Sequence, residues 1–200
     1  MNGEGKTGTM AHRPARYAVI SALVLAGLAV PALPRAAEIE GVHFADRTQA
    51  GPAALVLKNL GLARYLFLKV YVTALYVGDG IPADRVLADV PKRLELSYFQ
   101  SIKAGDFTTA ADQVLPDNVP AANIAALRPK IDRLHALYRD IKPGDRYALT
   151  YLPGVGTELA LNGTPLGTVE GADFAAAYFA IWLGPKPISE SLKSQLLKTP

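Results

Sequence analysis

The sequence predicts an α+β domain in which an open-faced antiparallel β-sheet packs against a layer of helices. Three observations carry that expectation. Strand-like and helix-like segments come in blocks, strands, helices, strands, helices, without the strict alternation of a parallel βαβ fold. Asn162-Gly163, set between two extended runs, is a strong hairpin signal, and hairpins build antiparallel sheets. Two segments, Ala121 to Tyr138 and Phe174 to Leu183, have helical patterning and apolar surfaces that need a layer to lie on.

Each element follows from local chemistry. Residues 54–77 are apolar for long enough to suggest a membrane helix. Lys58, Arg64 and Lys69 argue against it, since each costs about 2.5–3.5 kcal/mol at a bilayer centre. The β-branched and aromatic content from Tyr65 to Val77 predicts strands instead, with Gly61 marking a turn or bulge between two of them. Pro82 to Asp89 reads as a short helix with Pro82 in its first turn. Arg93 to Phe99 alternates as a strand, and Gly105-Asp106 opens a helix that Pro116 should stop. Ile124, Leu127, Ile131, Leu134 and Tyr138 recur at steps of three and four, giving an amphipathic helix that Pro129 should kink or split. Strands follow at Tyr147 to Leu152, Glu158 to Leu161 and Pro165 to Val169. Asp173 can cap the apolar helix Phe174 to Leu183, which Gly184-Pro185 ends, and Ser189 to Leu197 forms a last amphipathic helix.

Of the 200 residues, half are hydrophobic and a fifth charged, so a packed core is expected. The net charge of +3 comes wholly from residues 1–37, where Lys6, Arg13, Arg16 and Arg35 face Glu4 alone; beyond them 17 cations balance 17 anions. A domain without surplus charge is no nucleic-acid binder by composition. With no cysteine, the chain has no disulfide, thiolate metal site or cysteine nucleophile.

Residues 1–37 read as an address. A basic start to Arg16 precedes an apolar run from Tyr17 to Leu33, then small residues near Val30-Pro31-Ala32 and Arg35-Ala36-Ala37. Gly27, Pro31 and Pro34 weaken a long helix, so the pattern favours a cleaved signal over an uncleaved anchor. The expected division is 1–37 as signal peptide or anchor and 38–200 as the domain. The protein is then periplasmic or otherwise exported, with membrane contact only through its N-terminal segment.

Most catalytic constellations fail. Gly154-Val155-Gly156 joins two strands, with no helix behind it to bind phosphate. No serine beyond residue 37 sits in a G-x-S-x-G context. His43 and His135 are too far apart in sequence for ligand spacing, so no metal site is expected. His135, on the edge of a helical stripe, is a weak candidate for an axial haem ligand.

Arg64 is more informative. In an apolar strand region its guanidinium either lays its stem along a sheet edge or anchors a carboxylate, phenolate or propionate in a cleft. Beyond it, Leu66, Leu68, Val70 and Val72 alternate with Tyr65, Phe67, Lys69, Tyr71 and Thr73. The aliphatic side should pack on helices. The aromatic side is either a ligand surface or a solvated outer face. Strict parity puts Arg64 with the aliphatic side, so a turn or bulge before Tyr71 is required if both are to reach one ligand.

Leu60-Gly61-Leu62-Ala63-Arg64 followed by Lys69-Val70-Tyr71-Val72-Thr73-Ala74-Leu75-Tyr76 resembles the chalcone isomerase-like family, and more closely its exported bacterial branch. Pro91 to Leu96, Ala104-Gly105-Asp106-Phe107, Lys142-Pro143-Gly144-Asp145, Tyr151 to Thr157, Asn162-Gly163 and Gly171 to Gly184 continue the likeness over nearly all of the chain from Glu38. The resemblance implies a ligand cleft between sheet and helices. The family's plant isomerases close a chalcone to a flavanone, which needs a cation near the phenolate and hydroxyls polarising the ketone. Arg64 matches the family arginine, and Tyr71 falls where those enzymes place a threonine. Phe107 falls where they place a tyrosine and Val114 where they place an asparagine, so two polar groups are apolar here. Other members of the fold bind fatty acids and some bind haem, with the arginine as carboxylate anchor.

The leading expectation is a non-catalytic binder of a small apolar ligand with an acidic group, a fatty acid or haem. Its ligand-binding residues would be Arg64, Tyr71, Lys69, Phe67, Phe107 and Val114. The alternatives are an intramolecular lyase or isomerase using Arg64 and Tyr71, and an envelope protein whose cleft is filled by its own side chains.

Overall fold

In a computed structural model, the structure describes residues 1–5 and 36–198, and its helices and strands lie in the second span. Most of the N-terminal address lies outside the described residues. The domain begins with a hairpin of β1 (Ala36–Ile39) and β2 (Val42–Ala45), whose turn places Glu40 and Gly41 at positive φ. Seven strands then form one antiparallel sheet: β3 (Arg47–Ala50), β4 (Ala53–Tyr65), β5 (Leu68–Gly78), β6 (Lys92–Tyr98), β7 (Arg146–Leu152), β8 (Gly156–Leu161) and β9 (Thr164–Val169). Every strand pairs with its neighbours in sequence, so the sheet is a meander. Two helices, α1 (Ala104–Asn118) and α2 (Ala121–His135), intervene between β6 and β7 without breaking that order, and α3 (Ala172–Leu183) and α4 (Glu190–Leu196) close the chain. This is the α+β architecture the patterning predicts.

The sheet has two differently covered faces. Tyr71, Leu75 and Val77 of β5 join the main core with Leu115, Leu127, Ile131, Phe174 and Tyr178 of the helices. Val72, Ala74 and Tyr76, one residue out of phase, form a smaller core with Phe44 of β2. The expected division of faces does not hold: Tyr71 meets the helices and Val70 packs against the same core, Val72 lies under the β1–β2 hairpin, and Leu66 and Leu68 are exposed at the end of the β4–β5 hairpin.

Other differences have local causes. The turn expected at Gly61 lies instead at Leu66-Phe67, and β4 runs straight through Gly61. A Cβ at Gly61 would stand 2.6 Å from Leu192 Cδ1, so this glycine admits α4 against the sheet. Pro116 and Pro129 lie inside α1 and α2 rather than ending or splitting them. Their rings and the residues whose carbonyls lose a donor, Asp112 and Ala125, are all exposed, so water replaces the missing bonds. Pro82 to Asp89 forms only a 3₁₀ turn at Ala83–Arg85. The carbonyls of Ala88 and Val90 accept from the buried Lys92 ammonium, at 2.6 and 3.4 Å, instead of from a continuing helix.

Candidate ligand-binding cleft

Where the main core meets the open end of the sheet, packing is incomplete. A cavity of about 230 Å³ is lined by Tyr71 of β5, Tyr98 of β6, Phe107 and Ala110 of α1, Tyr138 beyond α2, and Trp182 of α3. Its aromatic walls support one another. The Phe107 ring stacks on Tyr138, with centroids 4.9 Å apart, and meets Tyr98 and Tyr147 edge-on. Large flat rings fixed by edge contacts leave space that aliphatic side chains would fill.

The hydroxyls in this wall are held and neutral. Tyr71 Oη accepts from Trp182 Nε1 at 3.2 Å, and the Tyr138 and Tyr178 hydroxyls share a hydrogen bond of 3.1 Å. Burial pushes the Tyr71 phenol up to about 12, against the opposing effect of the Trp182 bond. It also holds Tyr98, Tyr138 and Tyr178 well above the ordinary phenol range. These groups are dipoles and hydrogen-bond partners, with no phenolate available near neutral pH. The Tyr98 hydroxyl makes no side-chain hydrogen bond among the described residues and is free for a ligand.

A second space, about 410 Å³, opens beside the first and is lined by Arg64, Tyr65, Leu68, Val70, Tyr71, Gln100, Ile188 and Ser189. Val70, Tyr71 and Ile188 border both, so the inner cavity and this mouth adjoin. Two backbone features bring Arg64 here: the Leu66-Phe67 turn and a register shift between Ala63 and Arg64. That is the irregularity required if Arg64 and Tyr71 are to face one space.

The electrostatics are asymmetric along the cleft. At the mouth, Arg64 Nη2 lies 3.5 Å from Glu40 Oε1, and Lys69 Nζ hydrogen-bonds Glu40 Oε2. The Lys69 bond is the main reason that the Glu40 carboxyl is held below its usual range. Two cations thus share one carboxylate. On the inner wall the one carboxylate is Asp106, whose Oδ2 accepts the Lys103 N–H as part of the α1 cap. An anionic group is favoured at the Arg64 end and disfavoured at the other.

The family model of chalcone isomerase-like proteins matches residues 36–198. The chain belongs to the chalcone isomerase-like family. Among solved structures, the crystal structure of a fatty-acid binding protein from Arabidopsis thaliana has the same fold, with a TM-score of 0.63 and 16% identity. That match covers 82% of this chain and 96% of the plant protein. No curated protein sequence matches this one.

In this chalcone isomerase-like chain the expected ligand residues are scattered. Tyr71 and Phe107 line the inner cavity, and Arg64 lines the mouth. Arg64 is not a buried guanidinium, however: its side chain is 49% exposed and has Glu40 as a partner, because the hairpin ends one turn beyond it. Lys69 stands beside Arg64 on Glu40 and borders neither space. Phe67 falls at the hairpin tip and is 95% exposed, since the turn removes it from the alternation that placed it with Tyr71. Val114 packs against the core on another part of α1 and lines neither space.

His135 lines neither space, and its ring lies against Tyr138 and Tyr178. Among the described residues no group of three or more His, Asp or Glu is placed to hold a metal ion. Sequence reasoning missed Tyr98, Tyr138, Tyr178 and Trp182. Their signal was polar-tipped rings at core positions, which need partners that only the fold supplies.

Proposed function

We propose that this protein is an exported, non-catalytic carrier of a fatty-acid-like ligand. The acyl chain occupies the aromatic cavity and the carboxylate sits at the mouth beside Arg64. The observation that carries this reading is the adjoining of an apolar cavity and a cationic mouth through the shared wall of Val70, Tyr71 and Ile188. Together the two spaces fall within the usual size of small-molecule sites, about 300–1,000 Å³. The fold shared with a plant fatty-acid binding protein supports the same ligand class. The basic and then apolar N-terminal pattern supports export, with the N-terminal segment cleaved or retained as an anchor.

The isomerase reading has less support. The tyrosine hydroxyls of the cavity wall could polarise a ketone, but Phe107 and Val114 stand where the plant isomerases place a tyrosine and an asparagine, and Val114 lies away from the cleft. A cleft filled by the protein's own side chains has less support still, given the open volume.

Native mass spectrometry of the full chain, followed by solvent extraction, tests the proposal. The expected result is a co-purified fatty acid, or stoichiometric uptake of one added from solution. A chain that takes up no fatty acid, or forms flavanone from chalcone faster than buffer does, overturns it.

A further inference from the structure

The β4–β5 hairpin ends in four consecutive large apolar residues that pack on little. Tyr65 is 71% exposed, Leu66 78%, Phe67 95% and Leu68 60%. The turn itself is chemically unusual. Leu66 has φ +53, a conformation that two-residue hairpin turns normally give to glycine, asparagine or aspartate. A branched aliphatic side chain held there works against local backbone preference, and an outlier of this kind points to a function for the side chain.

The surroundings define the partner. Arg64 and Lys69 flank the apolar tip with only Glu40 between them, so the base of the finger carries more positive than negative charge. Tyr65 stands at the junction between the cationic base and the apolar tip, the depth at which aromatic rings with polar tips favour a bilayer interface. Ile188, 43% exposed, lies on the same rim. A narrow convex finger with a cationic collar suits insertion among acyl chains beneath anionic headgroups. Tyr65 and Leu68 also line the cleft mouth, so the finger and the opening share one end of the sheet.

We propose that the Tyr65–Leu68 tip inserts into an anionic lipid surface and places the mouth of the cleft against it. This adds a second membrane contact to the one expected of the N-terminal segment. It rests on the carrier reading only for its purpose, the transfer of ligand between bilayer and cleft; the insertion itself stands on the exposed tip and its collar.

The full chain has no cysteine, so a single introduced thiol is a unique labelling position. Phe67→Cys and Val155→Cys would each carry the environment-sensitive fluorophore NBD. Val155 is also apolar and 56% exposed, but lies in the β7–β8 turn at the opposite end of the sheet. Both proteins share the N-terminal segment, which therefore does not distinguish them. With vesicles of equal parts phosphatidylcholine and phosphatidylglycerol, the Phe67→Cys label should shift to the blue and brighten. Phospholipids bearing a doxyl group on the acyl chain should quench it. The Val155→Cys label should do neither.

An unshifted tip label on protein that sediments with vesicles overturns the proposal. So does a tip label already blue-shifted in buffer in proportion to protein concentration, which would mean that a second copy covers the finger. Fatty-acid titration of the same proteins without vesicles reads the cleft separately. Tip insertion without fatty-acid uptake removes the carrier reading alone, and uptake without insertion removes this inference alone.

Discussion

Replacing Arg64 by alanine reports where a bound carboxylate lies. A charge-assisted hydrogen bond contributes about 1.5–3 kcal/mol when water is kept away. The Arg64 side chain is 49% exposed, so solvent screening reduces the expected loss to about 1–1.5 kcal/mol. At roughly 1.4 kcal/mol for each tenfold, fatty-acid affinity should fall about five- to tenfold. The assay is displacement of a fluorescent fatty acid by an unlabelled one and, in parallel, by the alcohol of the same chain length. The alcohol has no carboxylate for Arg64 and should bind both proteins equally.

Folding should be little affected, since the Arg64 contact to Glu40 is 3.5 Å long and at the surface, and Lys69 keeps Glu40 paired. Glu40→Gln should act in the opposite sense, releasing both cations and tightening acid binding alone. Equal losses for acid and alcohol in Arg64→Ala, or no loss for the acid, would refute the placement of the carboxylate.

Three further perturbations follow from the packing. Ala110→Phe puts a ring into the inner cavity and should abolish binding of acid and alcohol alike, while circular dichroism shows the fold retained. Gly61→Val should lower the melting temperature, by about 1–3 kcal/mol in stability, because its side chain drives α4 from the sheet at Leu192. Burial lowers the Lys92 ammonium to about 8, with the nearby Asp89 opposing, so the unfolded chain holds this proton more tightly than the folded one. The Lys92 contribution to stability should therefore rise as pH passes from about 8 toward about 10, by on the order of 2 kcal/mol after allowance for screening. The buried tyrosines, whose phenols are held above their ordinary range, act in the opposite sense toward about pH 10. Denaturant unfolding at several pH values should show the wild type gaining that stability relative to Lys92→Met, the tyrosines being common to both.

The strands after residue 90 were legible because their side-chain periods match their burial, and the helices from their opening residues, stripes and apolar bodies, apart from the two prolines expected to end α1 and to kink or split α2. Asn162-Gly163 sets its turn with φ of +51 and +81, values its residue types favour. Ser189 caps α4 through its own oxygen, which accepts from Leu192 N. The β4–β5 turn was hidden for the opposite reason. Neither Leu66 nor Phe67 is a turn-forming residue, so the run from Ala53 to Gly78 has no local punctuation where the chain reverses. That single misplacement put Phe67 in the ligand set and buried Arg64.

The amino-acid order alone determined the class of this fold, its family and the arginine at the head of the cleft, because period, turn chemistry and motif spacing are local properties of a chain. Tertiary structure decided which face of β5 meets the helices, which tyrosines surround the cavity and that Glu40 reaches Arg64 and Lys69 from the preceding hairpin. Those outcomes depend on distances between segments remote in sequence, fixed only when every apolar surface has been covered at once. The space left over, between rings too large and rigid to close it, is where a ligand would lie.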